Sequence, residues 1–153
     1  MEEVAERFRG LLEVEVLHHP DYDGASNEVL ARVLGLDLHL IVKTLVVKAG
    51  GEFVVCVIPG DRKLDFRALS KALGISKKKL RMASPEEIES LGYAPGCIPP
   101  TAAAEKGLRG VVDEALLELD RALGSAGRPY YGVWFDPKGL LELGYAKCSI
   151  STR

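Results

Sequence analysis

Two apolar runs, "LIVKTLVVK" (40–48) and "FVVCVI" (53–58), flank the tetrapeptide "AGGE". A Gly-Gly pair between two β-rich runs signals a hairpin, because glycine supplies the positive φ values that a two-residue turn needs. With Gly50 and Gly51 as the loop, pairing runs 49–52, 47–54, 45–56 and 43–58. The second run is apolar on both faces, as expected of a strand covered on both sides. A chain with such a hairpin at its centre must build a sheet around it.

Lys43 breaks the apolar pattern. Side chains alternate across a strand, so Ile41, Lys43, Leu45 and Val47 share one face, and Val42, Thr44, Val46 and Lys48 the other. The register puts Lys43 opposite Ile58, at the end of the hairpin away from the turn and beside "PGD" (59–61). An unpaired ammonium there is costly, so it needs an anion or a water-filled cleft. A pocket cation meets that need. So does a lysine that snorkels past the sheet edge, or one paired with Asp61. Thr44 faces away from Lys43 and reads as structural.

The flanking segments alternate between helix and strand signals. Residues 2–11 read as a short amphipathic helix and "VEVLHH" (14–19) as a strand. A helix from Ser26 or Asn27 to Leu34 stops at Gly35, and another runs 65–73 from an Asp65 cap to Gly74. "KKKLRMAS" (77–84) reads as a short strand. Ser84 with Glu87 forms a capping box for a helix ending at Gly92. Then follow a long Gly/Pro loop (92–110), a strand "VVD" (111–113) and a helix over "EALLELDRAL" (114–123). A strand "PYYGVWFD" (129–136), a helix "PKGLLEL" and a last strand "YAKCSIS" complete the chain. The interleaving predicts an α/β or mixed α+β class with one central sheet, over a single domain spanning 1–153.

Composition narrows the function classes. The 153 residues are 47% hydrophobic and 27% charged, ordinary for a globular protein. No apolar run approaches a membrane span, and the charged N-terminus is unlike a signal peptide, so a cytoplasmic protein without a membrane partner is expected. Cys56, Cys97 and Cys148 form no C-x-x-C pair, and His18, His19 and His39 lack metal-ligand spacing. No metal site is therefore expected. The net charge of −2 does not itself imply a nucleic-acid partner. The best local basic patch is Lys77, Lys78, Lys79 and Arg81, which suits phosphates or simply solvent.

"GYAPGCIPP" (92–100) is stiff, because proline fixes φ and removes donors. Its remaining amides, at Gly96, Cys97 and Ile98, suit an inward-facing anion nest, although an ordinary surface connection reads equally from the residues. The order "KTLVV", glycine turn, "VIPGDRKLDFRAL", "KKKLRMASPEEIESLGYAPGCIPP" and "VVDEAL" resembles the YbaK/ProX family of aminoacyl-tRNA deacylases. These occur free-standing and as the editing insertion of bacterial prolyl-tRNA synthetases. The resemblance covers roughly 25–150. It rests on the lysine before "TLVV", the "GD..LD...L" segment and G-x-x-x-P, Gly96 to Pro100.

The resemblance implies a mixed, mostly antiparallel, barrel-like sheet wrapped by helices, and action without a metal or organic cofactor. It implies hydrolysis of mischarged tRNA bearing a small amino acid such as Ala or Cys, with an aminoacyl-tRNA synthetase as a candidate partner. Lys43 falls on the family's functional lysine, and Gly96 with Pro100 on its substrate-positioning loop, where Cys97, Ile98 and Pro99 border the substrate. The substrate is expected to help itself, its ribose hydroxyl orienting the water. One departure concerns the segment after Pro99–Pro100: "TAAA" stands where many members have a residue and then glycine, so the loop's far side differs. Tyr22 suits stacking on adenosine or a plain edge position, and Asp136 a pocket mouth or a helix cap. Cys97 has no histidine linked to it by motif and reads as packing rather than as a nucleophile. A non-catalytic module that grips tRNA or a synthetase through the same pocket is the alternative.

Overall fold

The hairpin forms in the expected register. In the computed structural model, which describes residues 1–153, β2 (Val42–Ala49) pairs with β3 (Glu52–Pro59), with Lys43 opposite Ile58 and Ala49 opposite Glu52. Gly50 adopts φ +62°, a conformation that side chains disfavour. β2 and β3 lie inside a five-stranded sheet. Its other members are β5 (Leu80–Met82), β6 (Arg109–Asp113) and β9 (Ala146–Cys148), in the order β5-β2-β3-β6-β9. The β5–β2–β3 part is antiparallel and β3–β6–β9 is parallel.

Alternation then sorts the core. Val47, Val54, Cys56 and Ile58 pack on one face with Leu69 and Leu73 of α3 (Phe66–Leu73). Val42, Val46, Val55 and Val57 pack on the other with Ile98, Ala102, Ala103, Leu116 and Tyr145. Caps set the helix ends. Ser26 Oγ accepts from Val29 N–H at the start of α2 (Asn27–Leu34), and Asp65 and the Ser84–Glu87 capping box start α3 and α4 (Pro85–Ser90). No helix is long and apolar enough to cross a membrane.

Several sequence expectations are corrected. The sheet is not one, and it does not close into a barrel. A second, antiparallel sheet comprises β1 (Glu15–His18), β8 (Tyr131–Phe135) and β7 (Ala122–Ser125), in the order β1-β8-β7. It touches the first through one parallel bridge, Ile41 to Leu123. The predicted helix over 114–123 is instead a 3₁₀ turn at Leu116–Glu118, followed by β7. Burial of Leu116 and Leu123 and pairing with β8 override the local helix propensity.

The N-terminal helix α1 is only Glu2–Glu6, because Phe8 turns into the core and Gly10 takes φ +78°. Lys77–Lys79 form a 3₁₀ turn before β5. The Gly/Pro loop ends in a helix, α5 (Ala102–Lys106), not foreseen after two prolines. The last helix, α6, is Gly139–Glu142. The last strand splits. Asp113 accepts from Ile150 N–H and Ser151 Oγ, which turns the chain away from β9. It then forms β10 (Ser151–Thr152) beside β4 (Lys63–Leu64).

Candidate active site

The gap between the two sheets is the candidate site. β2 and β7 meet at Ile41–Leu123 and then diverge, leaving a cavity of about 470 Å³. One wall is the edge of β2, residues 41–46. The opposite wall is Leu123, Gly124 and Ser125 of β7 with Tyr131 and Gly132 of β8. His19 and the 23–28 turn close one end, Gly96 and Ile98 the roof, and Met82 and Ile88 the rim.

Lys43 lines this cavity and is half-buried. Its ammonium donates to the Arg62 carbonyl at 2.8 Å and has no carboxylate partner. Asp61 pairs instead with His39, at 2.7 Å, so the Asp61 pairing considered from sequence does not occur. The Arg62 carbonyl is itself fixed. Arg62 donates through Nε to Ser151 Oγ at 2.6 Å and through Nη2 to the Ser151 carbonyl at 2.9 Å, and Ser151 Oγ donates to buried Asp113 at 2.6 Å. The chain's C-terminal strand thus positions the lysine.

The loop is held from behind. The Tyr145 hydroxyl donates to the Pro100 carbonyl at 2.7 Å and accepts from Ala103 N–H at 3.1 Å. Tyr93 donates to Glu105 at 2.6 Å, and Thr101 to the same carboxylate at 2.8 Å. Burial pushes the Tyr145 hydroxyl up to about 12, and raises Tyr93 as well, with the Glu105 hydrogen bond adding to it. Both stay protonated donors at neutral pH. Pro100 packs on Gly124, where an added Cβ would meet its ring at 3.0 Å.

Gly96 takes φ +77° and lies against Ala25, which brings the loop to the 23–28 turn. The amides of Gly96 and Ile98 donate to no group of the chain, whereas Cys97 N–H bonds the Ala94 carbonyl at 3.0 Å. The anion nest expected from sequence therefore reduces to two donors. Both of their residues line the cavity.

Other candidates fall outside it. Cys97, Pro99 and Pro100 are buried behind the lining. Burial, then Asp23, raises the Cys97 thiol, which leaves it protonated and unlike an activated nucleophile. Tyr22 does not line the cavity. Its hydroxyl accepts from Ser26 N–H at 2.7 Å and braces the turn that does. Asp136 lies in a separate hollow beside Leu12 and Lys138, and accepts from Lys138 N–H at 3.0 Å. Lys77, Lys78 and Lys79 are exposed at the turn end of the hairpin, about 20 Å along β2 from Lys43 at ~3.3 Å per residue. Arg81 is tied to Glu87 at 2.6 Å.

The sequence reading missed His19, Asn27, Ser125 and Arg128. His19 is buried, and its Nδ1 donates to the Tyr22 carbonyl at 2.7 Å, which leaves Nε2 outside that bond. Asn27 Nδ2 donates to the Val42 carbonyl at 3.1 Å, tying α2 to the open edge of β2. Arg128 is exposed at the mouth, 5.2 Å from the Tyr131 ring, which stacks on His18 at 4.6 Å. The signal for Asn27 was its place at a helix start. Ser125 and Arg128 gave none once 114–123 was read as helix. No group of three or more His, Cys, Asp or Glu side chains is placed to hold a metal ion.

Comparison with known proteins gives the family of the chain. The family model described as aminoacyl-tRNA editing domain matches residues 20–143. A proline–tRNA ligase of Thermosipho melanesiensis is 34% identical over 104 residues, 63% of this chain and 18% of the ligase. The chain therefore spans under a fifth of that relative. An Enterococcus faecalis protein named as a Cys-tRNA(Pro)/Cys-tRNA(Cys) deacylase is 33% identical over 125 residues, 79% of this chain and 73% of that one. The crystal structure of a protein described as a trans-editing enzyme for prolyl tRNA synthetase superposes with a TM-score of 0.82 at 26% identity, covering 100% of this chain and 99% of that one.

Proposed function

The chain belongs to the aminoacyl-tRNA editing domain family, and on that premise we propose that it hydrolyses the ester of tRNA mischarged with a small amino acid. The observation that carries the reading is the shared cavity. Lys43 and the two loop residues whose amides have no partner, Gly96 and Ile98, all line it.

The chemistry follows from these groups. Water attacks the ester carbonyl, and negative charge develops on its oxygen. Amides held rigid by the braced loop are suited to receive that charge, because preorganised donors stabilise an oxyanion without reorganising. Lys43 supplies a fixed cation with no competing carboxylate, for the terminal phosphate or the polarised carbonyl. The vicinal ribose hydroxyl orients the water, so positioning does most of the work. The bond between acyl carbon and ribose oxygen breaks, and the ribose oxygen takes a proton.

Pro100, held by Tyr145, fixes the loop rather than touching the substrate. Lys77, Lys78 and Lys79 form the surface for tRNA phosphates, whereas the charge of Arg81 is offset by Glu87. Relatives that are proline–tRNA ligases make a synthetase the second proposed partner. The non-catalytic reading is not favoured, because a relative 33% identical over 79% of this chain is named as a deacylase.

A panel of tRNAs charged with alanine, cysteine, serine and their cognate amino acids tests the proposal. Loss of the ester from one of the small mischarged forms is expected. Retention of all esters, with tRNA bound, overturns hydrolysis in favour of a binding module.

A further inference from the structure

The wall of the cavity formed by β2 is an unpaired sheet edge. Toward β5, pairing covers only Val47, Lys48 and Ala49, and Ala83 N–H adds one bond to the Val46 carbonyl at 2.9 Å. At the other end, Asn27 takes the Val42 carbonyl and Ile41 bridges Leu123. Between these anchors no strand pairs with residues 43–45 on that side.

The register says which groups are left open. In an antiparallel pair, alternate residues exchange both hydrogen bonds with their partner, and the residues between point their N–H and C=O the other way. The closing pair of the hairpin is Ala49–Glu52, so Ala49, Val47, Leu45 and Lys43 bond to β3. The carbonyls of Val42 and Val46 both find partners on the far side, which confirms the parity. Thr44 therefore directs its N–H and C=O away from β3 into the gap. Its Oγ1 is also the one buried side-chain polar atom with no partner. Such orphans are uncommon in folded proteins and call for a reason. The expectation that Thr44 is merely structural overlooks the backbone.

We propose that Thr44 is the subsite for the aminoacyl group, which pairs with β2 as a single β-strand residue. This rests on the deacylase reading above and extends it. An α-amino ester carries a donor and an acceptor on either side of one carbon, as a strand residue does. Its α-ammonium donates to the Thr44 carbonyl, and its ester carbonyl accepts from Thr44 N–H. Residues that exchange both bonds put their side chains on the same face of the sheet. The amino-acid side chain then lies on the Thr44 face, with Val42 and Val46 and toward the core that includes Ile98. The recognition is of backbone type, so it is independent of which small amino acid is attached.

The test uses the intact protein, ¹⁵N-labelled, with 3′-deoxy-3′-(L-alanylamino)adenosine, which keeps the ammonium and carbonyl but replaces the labile ester. The expected result is an amide shift at Thr44 with hydrogen exchange slowed about tenfold or more. The propionylamino analogue, which lacks the ammonium, is expected to bind about tenfold more weakly. Thr44→Pro removes the N–H without breaking the β3 ladder, and is expected to lower kcat/KM on mischarged tRNA about 10- to 100-fold. Response at Gly96 and Ile98 but none at Thr44 overturns the subsite and leaves the deacylase reading standing. No binding of either analogue, together with intact esters across the tRNA panel, overturns both.

Discussion

The hydroxyl of Tyr145 holds the carbonyl of Pro100 at 2.7 Å, inside the core and 45 residues away along the chain. This one contact fixes the C-terminal end of the loop that roofs the cavity, and its acceptor bond from Ala103 N–H fixes the start of α5 as well. Tyr145→Phe leaves a buried carbonyl and a buried amide without partners. It is expected to cost about 1–3 kcal/mol in urea unfolding and to lower kcat more than it raises KM, because the amides it positions act on the transition state. An unfolding loss with unchanged kcat would reduce the contact to a structural one.

Gly124 carries the opposite wall against the same proline. A Cβ there would meet the Pro100 ring at 3.0 Å and Phe135 at 3.2 Å. Gly124→Ala is expected to destabilise by about 1–3 kcal/mol through overpacking and to lower activity by displacing the loop. Thermal unfolding and single-turnover hydrolysis measure the two effects separately.

Cys97 sits in the loop yet behind the lining, with a thiol kept protonated by burial and by Asp23. Cys97→Ala is expected to retain hydrolysis within about threefold, since a thiol held above its ordinary range is a poor nucleophile. Alkylation of the wild-type thiol by iodoacetamide at neutral pH is expected to be slow. Rapid alkylation with loss of activity contradicts this.

Two groups contribute stability that depends on pH. Glu87 is lowered to about 2 by its hydrogen bond with Arg81 and then by Ser84 N–H. A depressed carboxylate contributes stability above its ordinary value of 4.5 and loses it as pH falls toward 2. Tyr145 runs the other way. Its contribution is present below 10 and is lost as pH rises through about 12. Tyr145→Phe is expected to remove part of the fall in urea midpoint as pH rises from 10 through about 12.

The two walls of the cavity differ in how far the sequence reveals them. Two glycines and strand alternation set the hairpin, so the place of Lys43 opposite Ile58 was readable. The capping signals at Ser26, Asp65 and Ser84 were readable for the same reason, since each is a local hydrogen bond. β7 was not. "EALLELDRAL" has helix-forming residues, and only the distant partners of Ala122 and Leu123, which are Phe135 and Trp134, make a strand there. Losing β7 hid Ser125 and the seam itself, because an open edge between two sheets belongs to the packing and not to any local run. The support of Lys43 by Arg62, Ser151 and Asp113 spans three segments distant in the chain, and no motif spacing marks it.

The most direct test is single-turnover hydrolysis of a small mischarged aminoacyl-tRNA by wild type and by Lys43→Ala, with folding of both checked by circular dichroism. Removing a preorganised charge from a site of this kind is expected to slow the step about 10²-fold or more, with the fold intact, since no carboxylate is left unpaired. Equal rates for the two proteins would contradict the assignment of the β2–β7 cavity as the site of hydrolysis.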